Sequence, residues 1–309
     1  MLVSRTPMVA ARHRDGVDLF CLVLAGVLWG TGGLLGSLLG RHAGLSPVAV
    51  ATYRLLIGGA LLVGVLLLSG CGLPRGRTAW TRIVVLGLLF AIYQVCYFGA
   101  VALTSVSLAT LITIGTSPVF VLGADWVTSR QRAGARTVGA IGLAVTGLVL
   151  LVGLPAGGHP TTAVLASMAL ALVAAAGFAT VTRLGAMPVS GLAAQAAIGL
   201  GFGVGGLILA PLALTTVGMG FRPNLVTVGL LVALATVPTA LAYTLYFRGL
   251  RTIGASTAVV LALLEPLTGA VLAAVLLHDR LGLAGVAGAV LLTVAVVLAG
   301  GASRPSAST

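Results

Sequence analysis

The chain has 309 residues, of which 59% are hydrophobic and only 7% charged. A soluble domain needs roughly 25% charged residues to build its water-facing surface, so a soluble fold is excluded and the solvent of this chain is lipid. All 17 basic residues are arginine, opposed by five acids, but the net charge of +12 does not signal nucleic acid, because the arginines stand singly or in threes between apolar runs.

A helix rising 1.5 Å per residue needs about 20 apolar residues to cross a hydrocarbon core of about 30 Å, and polar or Pro/Gly punctuation cuts the chain into ten such segments. A basic tail over 1–18 precedes a first helix near 19–40, which is too long for the apolar region of a signal peptide and is read as retained. It carries Trp29-Gly30-Thr31 at mid-helix, then Gly32, Gly36 and Gly40 at a spacing that lets another helix approach closely. The second helix, near 46–69, holds Arg54 about 12 Å from its start, too deep for easy snorkelling. On the third, near 82–103, Tyr93, Gln94 and Tyr97 share one stripe. The fourth, near 105–126, contains Ser117-Pro118 and ends on Asp125, read as an interfacial charge. A fifth helix near 137–153 leads to an uncharged loop in which His159 has no evident role, and helices near 162–182 and 190–213 follow.

The eighth helix, near 225–247, contains Pro238 and places Thr239, Tyr243 and Tyr246 at i, i+4, i+7. In the ninth, near 255–277, Glu265 precedes Pro266 about ten residues in, hence about 15 Å deep. A charge at that depth costs about 2.5–3.5 kcal/mol on insertion scales, so Glu265 is expected to face a cavity or a partner. There it could carry a proton across or hold a substrate ammonium. Arg54 lies at a similar depth: paired with Glu265, both would stay charged; apart from it, Arg54 could receive a substrate carboxylate. A tenth helix near 282–300 and a tail over 301–309 end the chain. Pro118, Pro238 and Pro266 each remove a helix hydrogen bond and are expected to act as hinges.

With the N-terminus inside, 13 arginines fall on the cytoplasmic side against three outside (Arg41, Arg222 and Arg280), which predicts cytoplasmic termini and a plasma-membrane protein. Trp80 and Trp126 then sit at cytoplasmic helix ends, as an aromatic belt would place them. Cys21, Cys71 and Cys96 are scattered and the four histidines are remote from one another, so no metal site, disulfide framework or cofactor is expected.

An internal repeat appears when Tyr97-Phe98-Gly99-Ala100 through Ser117-Pro118 is laid over Tyr246-Phe247-Arg248-Gly249 through Glu265-Pro266. Five crossings separate the copies, so they run in opposite directions through the membrane. The expected fold is therefore an all-α integral membrane protein, its ten helices forming two inverted repeats of five around a central cavity.

These residues carry a resemblance. Trp29-Gly30-Thr31, Ser46-Pro47, Tyr53-Arg54-Leu55-Leu56, Ser117-Pro118-Val119, the run Ala242 to Leu250 and Leu264-Glu265-Pro266-Leu267 resemble the ten-helix proteins made of two EamA domains, in the drug/metabolite transporter superfamily. The resemblance covers roughly 19–300, with repeats over 19–153 and 162–300. It implies a helical bundle around a cavity and export of amino acids, other metabolites or drugs. Two departures stand out: His278-Asp279-Arg280 replaces a Gly-Glu-Arg turn that members often carry after helix 9, and Ser129-Arg130-Gln131-Arg132 fills the corresponding place after helix 4. The absence of lysine speaks against the phosphate-sugar branch.

The expected function is a secondary exporter of small metabolites such as amino acids, or of drug-like amphipathic solutes, with proton coupling through Glu265. Its partners are a small-molecule substrate, the bilayer and protons. Uncoupled facilitation, import and a membrane-embedded enzyme are the alternatives, the last lacking any catalytic cluster in the sequence. Candidate substrate-binding or coupling residues are Glu265, Arg54, Trp29, Thr31, Tyr93, Gln94, Tyr97, Ser117, Tyr243 and Tyr246, with the tyrosine stripes of helices 3 and 8 facing each other across the cavity.

Overall fold

The computed structural model describes residues 6–70, 73–129, 134–153, 160–216, 218–276 and 282–302. His159, Cys71, Arg130–Arg132 and the His278-Asp279-Arg280 turn lie outside the described residues. Among the described residues, ten helices are long and apolar enough to cross a membrane. They are α1 (Thr6–Ala43), α2 (Pro47–Leu68), α3 (Arg77–Leu103), α4 (Val106–Ser129), α5 (Ala135–Val152), α6 (Thr161–Ala186), α7 (Ala194–Thr216), α8 (Leu225–Ile253), α9 (Ala255–Leu276) and α10 (Leu283–Ala302).

Local chemistry explains the helix ends. Ser46 caps α2 by accepting the Ala49 N–H at 3.1 Å, with Pro47 in the first turn where its missing donor costs nothing. Asn224 caps α8 in the same way, accepting from Thr227 N at 2.9 Å. One residue, Gly254 at φ 84°, turns the chain from α8 into α9, a backbone region that other residues enter only with strain.

Three elements differ from the sequence reading. Helix α1 starts at Thr6 rather than near 19, because the polar segment ahead of the apolar stretch carries the same helix out of the membrane. Helix α8 is not continuous: Thr236–Leu241 forms a π-helical turn around Pro238. Helix α9 is broken at Ala262–Leu263, where Pro266 cannot donate to the Ala262 carbonyl, which instead accepts from Glu265 N at 3.0 Å.

The packing is nearly unchanged when the two halves are exchanged, so that helix n of the first half becomes helix n+5 of the second. Helix α1 packs on α8 and α9 as α6 packs on α3 and α4; α2 packs on its own counterpart α7, and α5 on α10. These contacts all run between the halves. With five helices per half, the copies are inverted, and the architecture is two interlocked five-helix repeats around a central cavity.

Helices approach closely at Gly26, Gly30, Gly58 and Gly59, among other glycines. A Cβ on Gly30 would meet the Glu265 carbonyl at 2.8 Å, and one on Gly59 the Gly199 carbonyl at 2.8 Å. The expected close-approach series Gly32, Gly36 and Gly40 does something else: all three line the central cavity, and the nearest atom to a Cβ on Gly36 would be Val50 Cγ1 at 3.9 Å. Small-residue spacing gives room on a helix face, and here that room is left open rather than filled by a neighbour.

Candidate functional site

The cavity, about 520 Å³, runs from the centre of the bundle to the face opposite the chain termini, its mouth formed by the end of α1 (Gly40, Arg41, Gly44) and the starts of α2 (Pro47) and α4 (Val106). A volume of that size suits a small organic molecule. At its inner end lies a chamber of about 30 Å³, which shares Trp29, Arg54, Tyr93, Ile114 and Glu265 with the cavity and adds Ser117, Phe178 and Tyr243. It has room for a water- or ammonium-sized group.

Arg54 is placed by a short chain of causes. Pro238 has no N–H, so the Leu234 carbonyl four residues earlier loses its helical donor. Thr239 makes up the loss by donating from Oγ1 to Leu234 O at 2.8 Å. The same hydroxyl oxygen then accepts from Arg54 Nε at 2.9 Å, across the boundary between the halves. Among the described residues the Arg54 Nη groups make no hydrogen bond, and they are left to the cavity that Arg54 lines.

The break in α9 places Glu265. It sits in the first turn of the segment Leu264–Leu276, where the dipole of a helix start favours a negative charge. Its carboxylate lines both cavity and chamber and makes no hydrogen bond or ion pair to the described residues. Arg54 and Glu265 thus face one space without pairing. The inverse position in the first half, Ser117-Pro118, keeps α4 continuous, and Ser117 donates to Thr113 O at 2.6 Å inside the helix.

Aromatic rings close the chamber. Trp29 contacts Tyr243 and Tyr246 at centroid separations of 5.0 and 4.7 Å and Phe178 at 5.9 Å, while Tyr93 and Tyr97 lie nearly parallel at 6.1 Å. Trp29 is 3% exposed, and among the described residues its Nε1 N–H has no partner. A buried donor left unpaired costs about 1–3 kcal/mol, which an acceptor on a bound molecule would relieve.

Of the ten residues singled out in the sequence, Glu265, Arg54, Trp29, Tyr93, Gln94 and Tyr97 line the cavity, and Ser117 and Tyr243 line the chamber. Tyr246 and Thr31 do not reach either wall. Tyr246 is 1% exposed behind Trp29, its hydroxyl 3.0 Å from Thr182 Oγ1, and Thr31 donates to its own helix at Leu28 O. The two tyrosine stripes therefore do not face each other throughout: Thr239 serves Arg54 and Tyr246 is packed away. Pro118 lies inside α4, Pro238 in the π-helical turn and Pro266 just after the break in α9. Sequence reasoning missed Phe178, although it is the one aromatic residue in α6 and stands among alanines.

The EamA-like transporter family matches this chain twice, over residues 18–153 and 165–301. An uncharacterized transporter, YwfM of Bacillus subtilis (strain 168), is 28% identical over 287 residues, covering 93% of this chain and 94% of that protein. YicL, an uncharacterized inner membrane transporter of Salmonella typhimurium (strain LT2), is 25% identical over 291 residues, covering 90% and 93%. A chain of known crystal structure superposes with a TM-score of 0.77 at 20% identity, over 94% of this chain and 99% of the other, which supports the fold. Family and relatives are transporters, so the enzyme alternative falls away. With its ten apolar helices, two inverted repeats and central cavity, this multi-pass membrane chain belongs to the EamA-like transporter family.

Proposed function

We propose that the protein is a secondary exporter of small metabolites that carry both charges, amino acids among them, or of amphipathic drug-like solutes, working by alternating access of its two repeats. The observation that carries this reading is the placement of Arg54 and Glu265 on one cavity without pairing to each other. Two opposite charges left apart at membrane depth are costly unless a ligand or water completes them. The Arg54 Nη groups would take a carboxylate, while Glu265 and the rings of Trp29, Tyr93 and Tyr243 would take an ammonium, by ion pairing and cation–π contact. The unpartnered Trp29 Nε1 would donate to the same solute.

Glu265 serves in this reading as the proton carrier as well. A carboxyl in a low-dielectric site favours its neutral form until solvated or paired, so a proton taken up at the outer mouth is released when a cationic group arrives from the inside. The arginine asymmetry supports cytoplasmic termini in the plasma membrane, which makes the open mouth the outer one.

The test is transport by the reconstituted protein, screened against a metabolite library at two pH values. An acidic outer compartment is expected to accelerate efflux, and Glu265→Gln to abolish that response because the amide cannot carry a proton. Efflux that ignores the proton gradient in the unaltered protein would rule out coupling and favour uncoupled facilitation; net uptake against a gradient would reverse the direction.

A further inference from the structure

We propose that a small cleft on the face of the chain termini is the closed second mouth of the transport path, and that Asp18–Arg248 and Asp125–Arg183 are the latches holding it shut. The proposal rests on the alternating-access reading above and assigns it to particular residues.

Exchange of the halves maps the walls of the open cavity onto the opposite face. The end of α1 and start of α2 become the end of α6 and start of α7; the end of α3 becomes the end of α8. A cleft of about 40 Å³ lies at that place, between Gly185 of α6, Ala197 of α7, Phe247 and Arg251 of α8, and Arg82 and Leu86 of α3. It is plugged by an aromatic ring: a Cβ on Gly185 would meet Phe247 Cε1 at 2.7 Å, and Phe247 is 2% exposed. Where the open cavity has glycines and empty space, its counterpart has a ring pressed on a glycine.

Two ion pairs on the same face share one design. Asp18, at the start of the apolar span Gly16–Ala43 of α1, accepts from Arg248 Nε at 3.3 Å and from Thr252 Oγ1 at 2.9 Å, both on α8. Asp125, at the end of α4, accepts from Arg183 Nε of α6 at 3.0 Å and from Ser256 Oγ of α9 at 3.0 Å. Each acid comes from the first half, and each arginine and hydroxyl from the second. Both bonds to each acid therefore span the seam that must open if the halves rock.

Among the described residues the open face has no such device. Gly99 stands at the repeat position of Arg248, and among the described residues no ion pair crosses the open mouth. The fold is symmetric and the latches are not, so they bias the molecule toward the mouth opposite the termini. Partly exposed ion pairs are individually weak, so each latch is worth a few-fold in the equilibrium between the two openings, enough to set a resting state and still break on every cycle.

The experiment uses the full chain in liposomes, with Cys21, Cys71 and Cys96 replaced and one reporter cysteine introduced at a time. Ala197→Cys reports the closed cleft and Ser37→Cys the open cavity; the readout is the rate of modification by a membrane-impermeant maleimide applied to each reporter's own face. Asp18→Asn with Asp125→Asn is expected to speed labelling at position 197 several-fold and to slow it at position 37. In a chain that keeps Asp125, Asp18→Asn alone should shift both rates by less, and reversing that latch, Asp18→Arg with Arg248→Asp, is expected to restore the original rates, which loss of packing alone would not do. The milder Thr252→Val and Ser256→Ala should shift both rates the same way by less.

Unchanged rates at both positions in a folded double variant would overturn the proposal, as would faster labelling at both, which signals general loosening. No substrate enters this assay. Its failure is therefore separate from failure of the transport reading, which the efflux screen decides.

Discussion

Arg54 on α2 is held by Thr239 on α8: this cavity-lining arginine is anchored, Nε to Oγ1 at 2.9 Å, by the half of the molecule to which it does not belong. Thr239 is fully buried and also supplies the donor that Leu234 O loses to Pro238. Thr239→Val keeps the shape and removes both bonds. Leaving the Leu234 carbonyl unpaired costs about 1–3 kcal/mol, so the thermal unfolding midpoint in detergent should fall. Arg54 should lose its orientation at the same time, raising the KM for transported solute several-fold. Thr239→Ser, which keeps the hydroxyl, should behave as the unaltered protein in both measurements.

Gly30 and Gly36 lie less than two turns apart on α1 and should respond oppositely. A Cβ on Gly30 runs into Glu265 O and the Thr268 side chain, so Gly30→Ala is expected to lower thermal stability by separating α1 from α9. Gly36→Phe projects into the cavity, so it should abolish transport while the unfolding midpoint stays within a degree or two. If Gly36→Phe transports normally, the solute does not pass through this cavity.

Trp29→Phe removes an N–H that has no partner among the described residues. Stability should hold or rise slightly, because a buried unsatisfied donor is gone and the apolar ring remains. Binding should weaken by about tenfold if that N–H bonds the solute, since the acceptor on the solute would then be left unpaired. Ligand-induced thermal shifts measure both effects in one titration; a shift that stays the same would remove Trp29 from the binding site.

Much of this architecture was readable in advance, for physical reasons. Segment length against bilayer thickness gave ten helices, and a carboxylate ten residues into an apolar helix had to face open space or a partner. Whether Glu265 and Arg54 pair could not be read from depth alone. It depends on the π-helical turn at Pro238, which presents Thr239 to Arg54 and draws the guanidinium Nε to it. The same turn explains Tyr246: an extra residue per turn rotates everything beyond it by about 100°, so a stripe drawn with regular spacing through Thr239, Tyr243 and Tyr246 does not survive. The glycines of α1 were legible as small residues but not as empty space, because spacing says nothing of whether a neighbour comes to fill the groove. The ion pairs on the termini face join residues 58 and 230 positions apart, and no local pattern marks such partners.

The exchange relation in the packing bears on how the protein is made. Helices α1 to α5 leave the ribosome before any of α6 to α10 exists, yet α2 finds its broadest face against α7, and α5 against α10. Until synthesis is nearly finished, the first half holds Arg54 in the membrane with neither Thr239 nor Glu265 beside it. Insertion of this chain is thus a wait for its own second copy, and a truncation after α5 would strand an arginine at membrane depth rather than yield half a transporter.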